Sequence, residues 1–482
     1  MPFLTLRGLP LAPKTVVQEP HVDKLRVGES HIDVDVADRR QEPHVGLSLS
    51  SHTRTPSAGD APLRDDPDTP EALSAAIELK FLVPVLKPGA VDNGFPDDHR
   101  PIIMAVEAQK DGFQDAVLQV HGSVAWTISQ HAGTTVRQRS VTLHDIKAAQ
   151  HLERDYWDSH WIVKKANSAL PTADEDNKGS NYIWIPVEVC SPKQKWNDED
   201  GLGTALQTVT AVLRALTQHH RVSVNYTCDV HVHVGRTDGT HLSLDTLKRL
   251  ATMLWFSEDT IRSVRDPNSP NYQNVFTWGA ELTRHSRLAR LVEPMFAHDQ
   301  FTRRHHTLSD AKFLKALRQQ TPAIHAIWSA DSHLKLGRLL SGSTAQYRRL
   351  GFNFSCLGEE DARAKNGPKT VEFRVLEGTL DEDVISAWFA ICWKLVEVAG
   401  AGEHDGRFIE VLRTCFADVD TDSYQQYALR RGRGPDGPAA CAELEEGFIM
   451  RRRFRTLAVD GLGISADMCD AFVVALFQGR SM

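Results

Sequence analysis

Apolar and charged residues alternate in four widely separated stretches, and each stretch keeps its ionisable groups on one side. In residues 76–83, Ile77, Leu79 and Phe81 share one face while Glu78 and Lys80 take the other. Residues 182–192 set Val187 and Val189 opposite Glu188, and Ser191-Pro192 ends that run. In residues 228–235, Val230, Val232 and Val234 face away from His231 and His233. In residues 370–378, Val371, Phe373 and Val375 face away from Glu372 and Arg374. A period of two belongs to a β-strand, whose successive side chains point to opposite faces. Further strands are predicted at 161–168 and 348–354. The sheet this implies has an apolar face to be covered and a charged face gathered into one cleft.

The cover comes from helical periodicity. Residues 204–219, 243–264 and 379–398 each carry an apolar stripe, the second through Leu247, Leu250, Leu254 and Ile261. Thr204-x-x-Gln207 and Thr379-x-x-Glu382 read as capping boxes, and Gly400 ends the last helix. Weaker patterns predict helices around 102–109, 311–317 and 323–330. Residues 266–310 are polar and loop-rich, so His305 and His306 are expected at the surface. Residues 1–70 are rich in Pro, His, Asp, Ser and Thr without apolar periodicity, which predicts a disordered or loosely attached arm. The organised chain then runs from 71 to 400, followed by a helical C-terminal extension, 401–482, with a loop at 430–439.

Composition narrows the function classes. The chain has 482 residues, of which 41% are hydrophobic, enough for a large core. A net charge of -8 argues against a general nucleic-acid binder, and the arginine runs at 430–433 and 451–455 read as solvated surfaces. No apolar run reaches the length of a membrane span, and no signal-peptide pattern opens the chain, so a cytoplasmic protein is expected. The seven cysteines are odd in number and form no C-x-x-C pair, which favours free thiols in a reducing compartment. Cys190 and Cys228 read as small core residues.

The chemistry lies on the charged face. His231 and His233 are roughly 6.5 Å apart along their strand, and two imidazoles on one face of a buried strand are costly without a partner. Carboxylates with imidazole suit Mg²⁺ or Mn²⁺, and a guanidinium suits phosphate oxygens. There is no P-loop and no dinucleotide fingerprint. Two other readings stay open. Asp229-x-His231-x-His233 also mimics the zinc-binding strand at the start of an amidohydrolase barrel, and the cleft of a non-catalytic descendant would only bind nucleotide or peptide.

The same stretches resemble a known family. Trp161-x-Val163-x-x-x-Asn167-Ser168, Val187-Glu188-Val189-Cys190-Ser191-Pro192, Cys228-Asp229-Val230-His231-Val232-His233-Val234-Gly235 and Thr370-Val371-Glu372-Phe373-Arg374-Val375-Leu376-Glu377-Gly378 follow the order of motifs in the putative amidoligase family. That family is grouped with glutamine synthetase and glutamate–cysteine ligase, and the likeness spans about 75–400. It implies an α+β fold with a glutamine-synthetase-like, curved and largely antiparallel sheet, its charged face open and its other face backed by helices. It implies ATP-dependent joining of a small-molecule or peptide carboxylate to an amine through an acyl phosphate. By this resemblance Glu78, Glu188, His231 and Glu372 hold Mg²⁺ or Mn²⁺. Arg374, Glu372 and His233 serve the chemistry, and Arg374, Lys80 and Arg349 contact the nucleotide. Three positions differ from the family pattern. Lys80 stands where a second acidic residue is common, Ala166 where an aspartate precedes the x-Ser pair, and Asp229 where a glycine is usual.

Overall fold

Leu73–Leu86 is the spine of the sheet in this computed structural model, a strand of 14 residues that pairs on both sides. Described are residues 71–94, 97–105, 112–132, 140–148, 158–172, 175, 181–195, 202–265, 280–292, 309–342, 349–358, 369–402, 406–416 and 451–478. All of them belong to one compact unit, Asp65–Met482. The arm 1–70, His305, His306 and the loop 430–439 lie outside the described residues.

The strands are β1 (Leu73–Leu86), β2 (Ile103–Met104), β3 (Ser140–Thr142), β4 (Trp161–Lys164), β5 (Tyr182–Cys190), β6 (Gln194–Lys195), β7 (Val230–Arg236), β8 (Phe352–Asn353) and β9 (Val371–Phe373). They form one sheet in the order β3-β4-β5-β1-β7-β9-β8, with β2 and β6 also paired to β1. Every pair is antiparallel except β1 with β2 and β3 with β4. The four predicted charge-bearing strands are thus consecutive neighbours, β5-β1-β7-β9, although β1 and β9 lie at opposite ends of the organised sequence.

The apolar face makes the core. Ile77, Leu79 and Phe81 of β1 join Val187 and Val189 of β5, Val230, Val232 and Val234 of β7, and Val371 and Phe373 of β9 in one buried cluster. Helices α1 (Gly112–His131) and α4 (Glu382–Gly400) lie against this side, α2 (Leu202–His219) packs on both of them, and α3 (Leu244–Arg262) packs on α4. In the C-terminal part, α5 (Arg407–Phe416) packs on α3 and α6 (Ala466–Gln478) on α4. No helix among the described residues is long and apolar enough to cross a membrane.

Several local expectations are corrected. The helix predicted at 102–109 is absent from its described part, where Ile103–Met104 extend the sheet beside Val85 and Leu86 and Ala105 N donates to Leu86 O. The free edge at the end of β1 takes those backbone groups before a helix can use them. Helix α2 starts at Leu202, so Thr204 lies inside it and is no cap. Asp381, not Thr379, caps α4, its carboxylate accepting from the amides of Asp383 and Val384. The predicted strand at 348–354 is ordered as a strand only at Phe352–Asn353.

One close approach fixes where the segment after β9 runs. Gly378 N donates to Cys228 O, and a Cβ at Gly378 would stand 2.5 Å from Cys228 Cβ and 2.8 Å from Val224 Cγ1. Gly378→Ala is expected to destabilise the protein by about 1–3 kcal/mol, because the backbone itself must shift. Gly122→Ala, in α1 where nothing lies within 4 Å of the added carbon, is expected to stabilise by about 0.5–1 kcal/mol. Urea unfolding of the two variants checks the contrast.

Candidate functional site

Strand register aligns the ionisable groups into three rows across the charged face. In the first, Lys164 of β4 is opposite Glu188 of β5, which is opposite Lys80 of β1. Lys80 Nζ then reaches Asp229 Oδ2, just before β7, at 2.7 Å. In the second row, Cys190 of β5 pairs with Glu78 of β1, which pairs with His231 of β7. Arg374, one residue past β9, brings Nη1 to 3.4 Å from His231 Nδ1. In the third row, Ala76 faces His233, which faces Glu372, which faces Asn353. Directly opposed residues of a sheet point to the same side, so these groups share one compartment.

The face is not open across its width. Lys80, Glu188, Asp229, His231, Glu372 and Arg374 are all buried, and small apolar clusters flank them, one with Leu82, Trp184 and Cys228 and another with Ile146, Ile162 and Cys190. Alternating charge explains how so many ionic groups tolerate burial, since each finds a partner on the next strand. Solvent reaches the floor at three side chains, Glu78 (21% exposed), His233 (16%) and Lys164 (24%).

The two histidines have different surroundings. Nδ1 of His231 lies 3.0 Å from Glu78 Oε2 and 3.1 Å from Glu372 Oε1, and its Nε2 lies 2.9 Å from Asp229 Oδ2. Burial and the charges of Arg374 and Lys80 push its pKa down, but the hydrogen bonds to Asp229 and Glu372 outweigh them and raise it to about 9. As an imidazolium it has no lone pair to offer a metal. His233 instead receives or gives one hydrogen bond at Nδ1, with Thr370 Oγ1 at 3.1 Å. Its Nε2 is buried without a hydrogen-bond partner, 3.4 Å from Glu78 Oε1 and 3.8 Å from Glu372 Oε1.

The carboxylates differ as well. Burial raises the pKa of Glu78, yet the hydrogen bond with His231 and the nearby His233 imidazole hold it well below the usual carboxylate range. Glu372 is also held well below that range, the Arg374 charge outweighing burial. Arg374 Nη1 donates to Glu372 Oε1 at 2.5 Å, and Asn353 Nδ2 donates to Oε2 at 2.6 Å, so Glu372 is fixed from both sides. Glu188 behaves differently: burial and the neighbouring Glu78 charge raise its pKa despite the attraction of Lys164 and Lys80. Its Oε1 is 3.1 Å from Lys164 Nζ.

The residues predicted from sequence are therefore brought together, with one exception. Arg349 is exposed and shares no hydrogen bond or ion pair with the described residues of the cluster. Lys164, Asp229 and Asn353 were not among the predicted site residues, although Lys164 follows the same alternation as its neighbours, with Trp161 and Val163 in the core. Lys80 and Asp229, two of the three positions that depart from the family pattern, are partners of one another.

Two groups bring three possible metal ligands within 4.8 Å of one another among the described residues: Glu78, His233 and Glu372, and Glu78, Glu188 and Cys190. The first offers two low-pKa carboxylate oxygens and an imidazole nitrogen, a donor set suited to a divalent cation of the Mg²⁺ or Mn²⁺ type. The zinc-hydrolase reading called for a motif at the start of a parallel βα barrel. Strand β7 instead lies between antiparallel neighbours, and Asp229 Oδ2 is taken by Lys80 and His231.

Residues 121–348 match the model of a family described as putative amidoligase enzyme, which suggests an amide-forming ligase. No curated protein and no solved structure matches the chain. The matched stretch contains Glu188, His231 and His233 but neither Glu78 nor the Glu372–Arg374 pair, which reach the same face from outside it.

Proposed function

We propose that this protein is an ATP-dependent carboxylate–amine ligase, working through an acyl phosphate and holding one divalent cation, Mg²⁺ or Mn²⁺, at Glu78, His233 and Glu372. The observation that carries this reading is the convergence of those three side chains, from three strands, around ligand atoms within 4.8 Å of one another and beside the Arg374 guanidinium. The match to an amidoligase family favours amide formation over other uses of such a site.

The roles differ from those expected from the sequence. His233 takes the ligand position expected of His231, and His231 becomes the buried cation that spaces Asp229, Glu78 and Glu372. Glu188 belongs to the lysine row. Lys80 serves Asp229 rather than nucleotide, and Arg349, which is exposed, lies apart from the cluster.

A bound divalent cation would supply charge neutralisation at the nucleotide phosphates. The chain's own groups do the rest by position and charge. Arg374, held by Glu372, presents a fixed guanidinium to anionic oxygens of the acid or of the phosphoryl group in transfer. In the first step a carboxylate oxygen of the acid attacks the terminal phosphorus of ATP, and the bond to ADP breaks. In the second the amine nitrogen attacks the acyl carbon, orthophosphate leaves, and the nitrogen gives its extra proton to solvent. The flanking apolar clusters limit water around the activated acyl group, which would otherwise hydrolyse.

The test is incubation with ATP, Mg²⁺ and a panel of acid–amine pairs, followed by measurement of ADP, orthophosphate and amide. With acid labelled by oxygen-18 in its carboxylate, one labelled oxygen is expected in the released phosphate. Amide formation without that transfer would remove the acyl phosphate. ATP-independent hydrolysis with tightly bound zinc would remove the ligase, and nucleotide binding without turnover across the panel would leave a binding protein.

A further inference from the structure

The second ligand group, Glu78–Glu188–Cys190, already contains a positive charge that belongs to the chain. Lys164 Nζ is 3.1 Å from Glu188 Oε1 and is also hydrogen-bonded to the Cys190 thiol, and it feels the charge of Glu78. Register sets up this arrangement. Lys164 is directly opposite Glu188 on one side and Lys80 is directly opposite on the other, so the carboxylate is flanked by an ammonium from each neighbouring strand. Glu188 and Cys190 are themselves buried, whereas Lys164 lies at the partly exposed margin of the site.

We infer that the Lys164 ammonium is a resident cation at Glu78–Glu188–Cys190, so that the site takes one divalent ion where its carboxylates would otherwise accept two. This rests on the ligase reading only for the ion at Glu78–His233–Glu372. The two groups share Glu78. A second metal would have to approach that carboxylate against the first ion and against Lys164 together, with the Glu188 charge already answered by Lys164 and Lys80. A lysine tethered to β4 also holds its charge in place whatever the metal concentration. The Cys190 thiol, hydrogen-bonded to the same ammonium, belongs to the group that Lys164 fills.

The experiment is Mn²⁺ binding to the full-length protein, followed by the electron paramagnetic resonance signal of the free ion. One Mn²⁺ per chain is expected that weakens at least tenfold in Glu372→Gln and by less than about threefold in Glu188→Gln. Lys164→Ala is expected to bind a second ion. With Cd²⁺ this variant should show a thiolate charge-transfer band that is absent in the unsubstituted protein and lost again in Lys164→Ala/Cys190→Ser. Thermal melting identifies folded variants. If Lys164→Ala does not fold, the unsubstituted stoichiometry and Glu188→Gln decide. The inference is overturned by two site-bound Mn²⁺ in the unsubstituted protein, by Glu188→Gln losing the ion as Glu372→Gln does, or by folded Lys164→Ala holding only one. Any of these leaves the ligase reading standing, whereas no Mn²⁺ binding at all overturns both.

Discussion

Glu372→Gln is expected to lower ATP-dependent phosphate release by about a thousandfold, equivalent to roughly 4 kcal/mol of transition-state stabilisation. Three of the site's interactions meet on this carboxylate. It completes the group with Glu78 and His233, it anchors Arg374 through Oε1, and it is oriented by Asn353 through Oε2. The amide keeps the shape but loses the charge that the proposed cation site requires. It also turns an NH₂ group toward a donor, Arg374 on one side or Asn353 on the other. The guanidinium is thereby freed from its fixed position, so both charge and placement are lost together. Alanine is the poorer test, since it leaves Arg374 buried without that partner. The measurement is steady-state ADP and phosphate release at saturating Mg²⁺, with thermal melting to show that the variant is folded. A rate within tenfold of the unsubstituted enzyme would remove Glu372 from the site.

Lys80→Met is expected to destabilise the fold by about 3–5 kcal/mol, and Lys80→Met/Asp229→Leu by much less than the sum of its two parts. Both groups are almost fully buried, Lys80 at 5% and Asp229 at 1% exposure. Burying either charge alone is costly, and Oδ1 of Asp229 has no hydrogen-bond partner to help. Removing Lys80 therefore leaves a buried carboxylate to His231, at 2.9 Å, and to the more distant charge of Arg374. The double variant strands no charge on this pair, but it takes one partner from His231, so it does not return to full stability. Urea unfolding of the four species closes the cycle. Simple additivity would show that the two residues do not depend on each other.

This pair also bears on how the chain departs from the putative amidoligase pattern that it resembles. A lysine in place of an acidic residue and an aspartate in place of a glycine each look disabling in isolation. Side by side across β1 and the start of β7 they cancel. The pairing was invisible in the sequence because 149 residues separate the two positions.

Strand identity was legible where alternation was strong. The faces of β1, β5, β7 and β9 follow from Ile77, Val187, Val232 and Phe373 against Glu78, Glu188, His231 and Glu372, because a strand allows no other assignment of neighbours. Helix α1 is legible too, through the buried Val117, Val120, Val124 and Ile128 at helical spacing. The neighbouring residues 102–105 follow a helical pattern yet extend the sheet, because a free sheet edge, which no local pattern reveals, claims their backbone.

By itself, the sequence determined that glutamates, histidines and an arginine would share one face, since backbone pleating forces alternate residues to the same side. Only tertiary structure decided which of them keeps a donor atom uncommitted. His231 and His233 are equivalent by alternation, but register sets His231 beside Glu78, Asp229 and Arg374, while His233 stands opposite the small Ala76 and beside Glu372. The first is locked in an ionic lattice and the second keeps a nitrogen without a hydrogen bond. That difference comes from the pairing of strands distant in sequence, a long-range choice that no local spacing encodes.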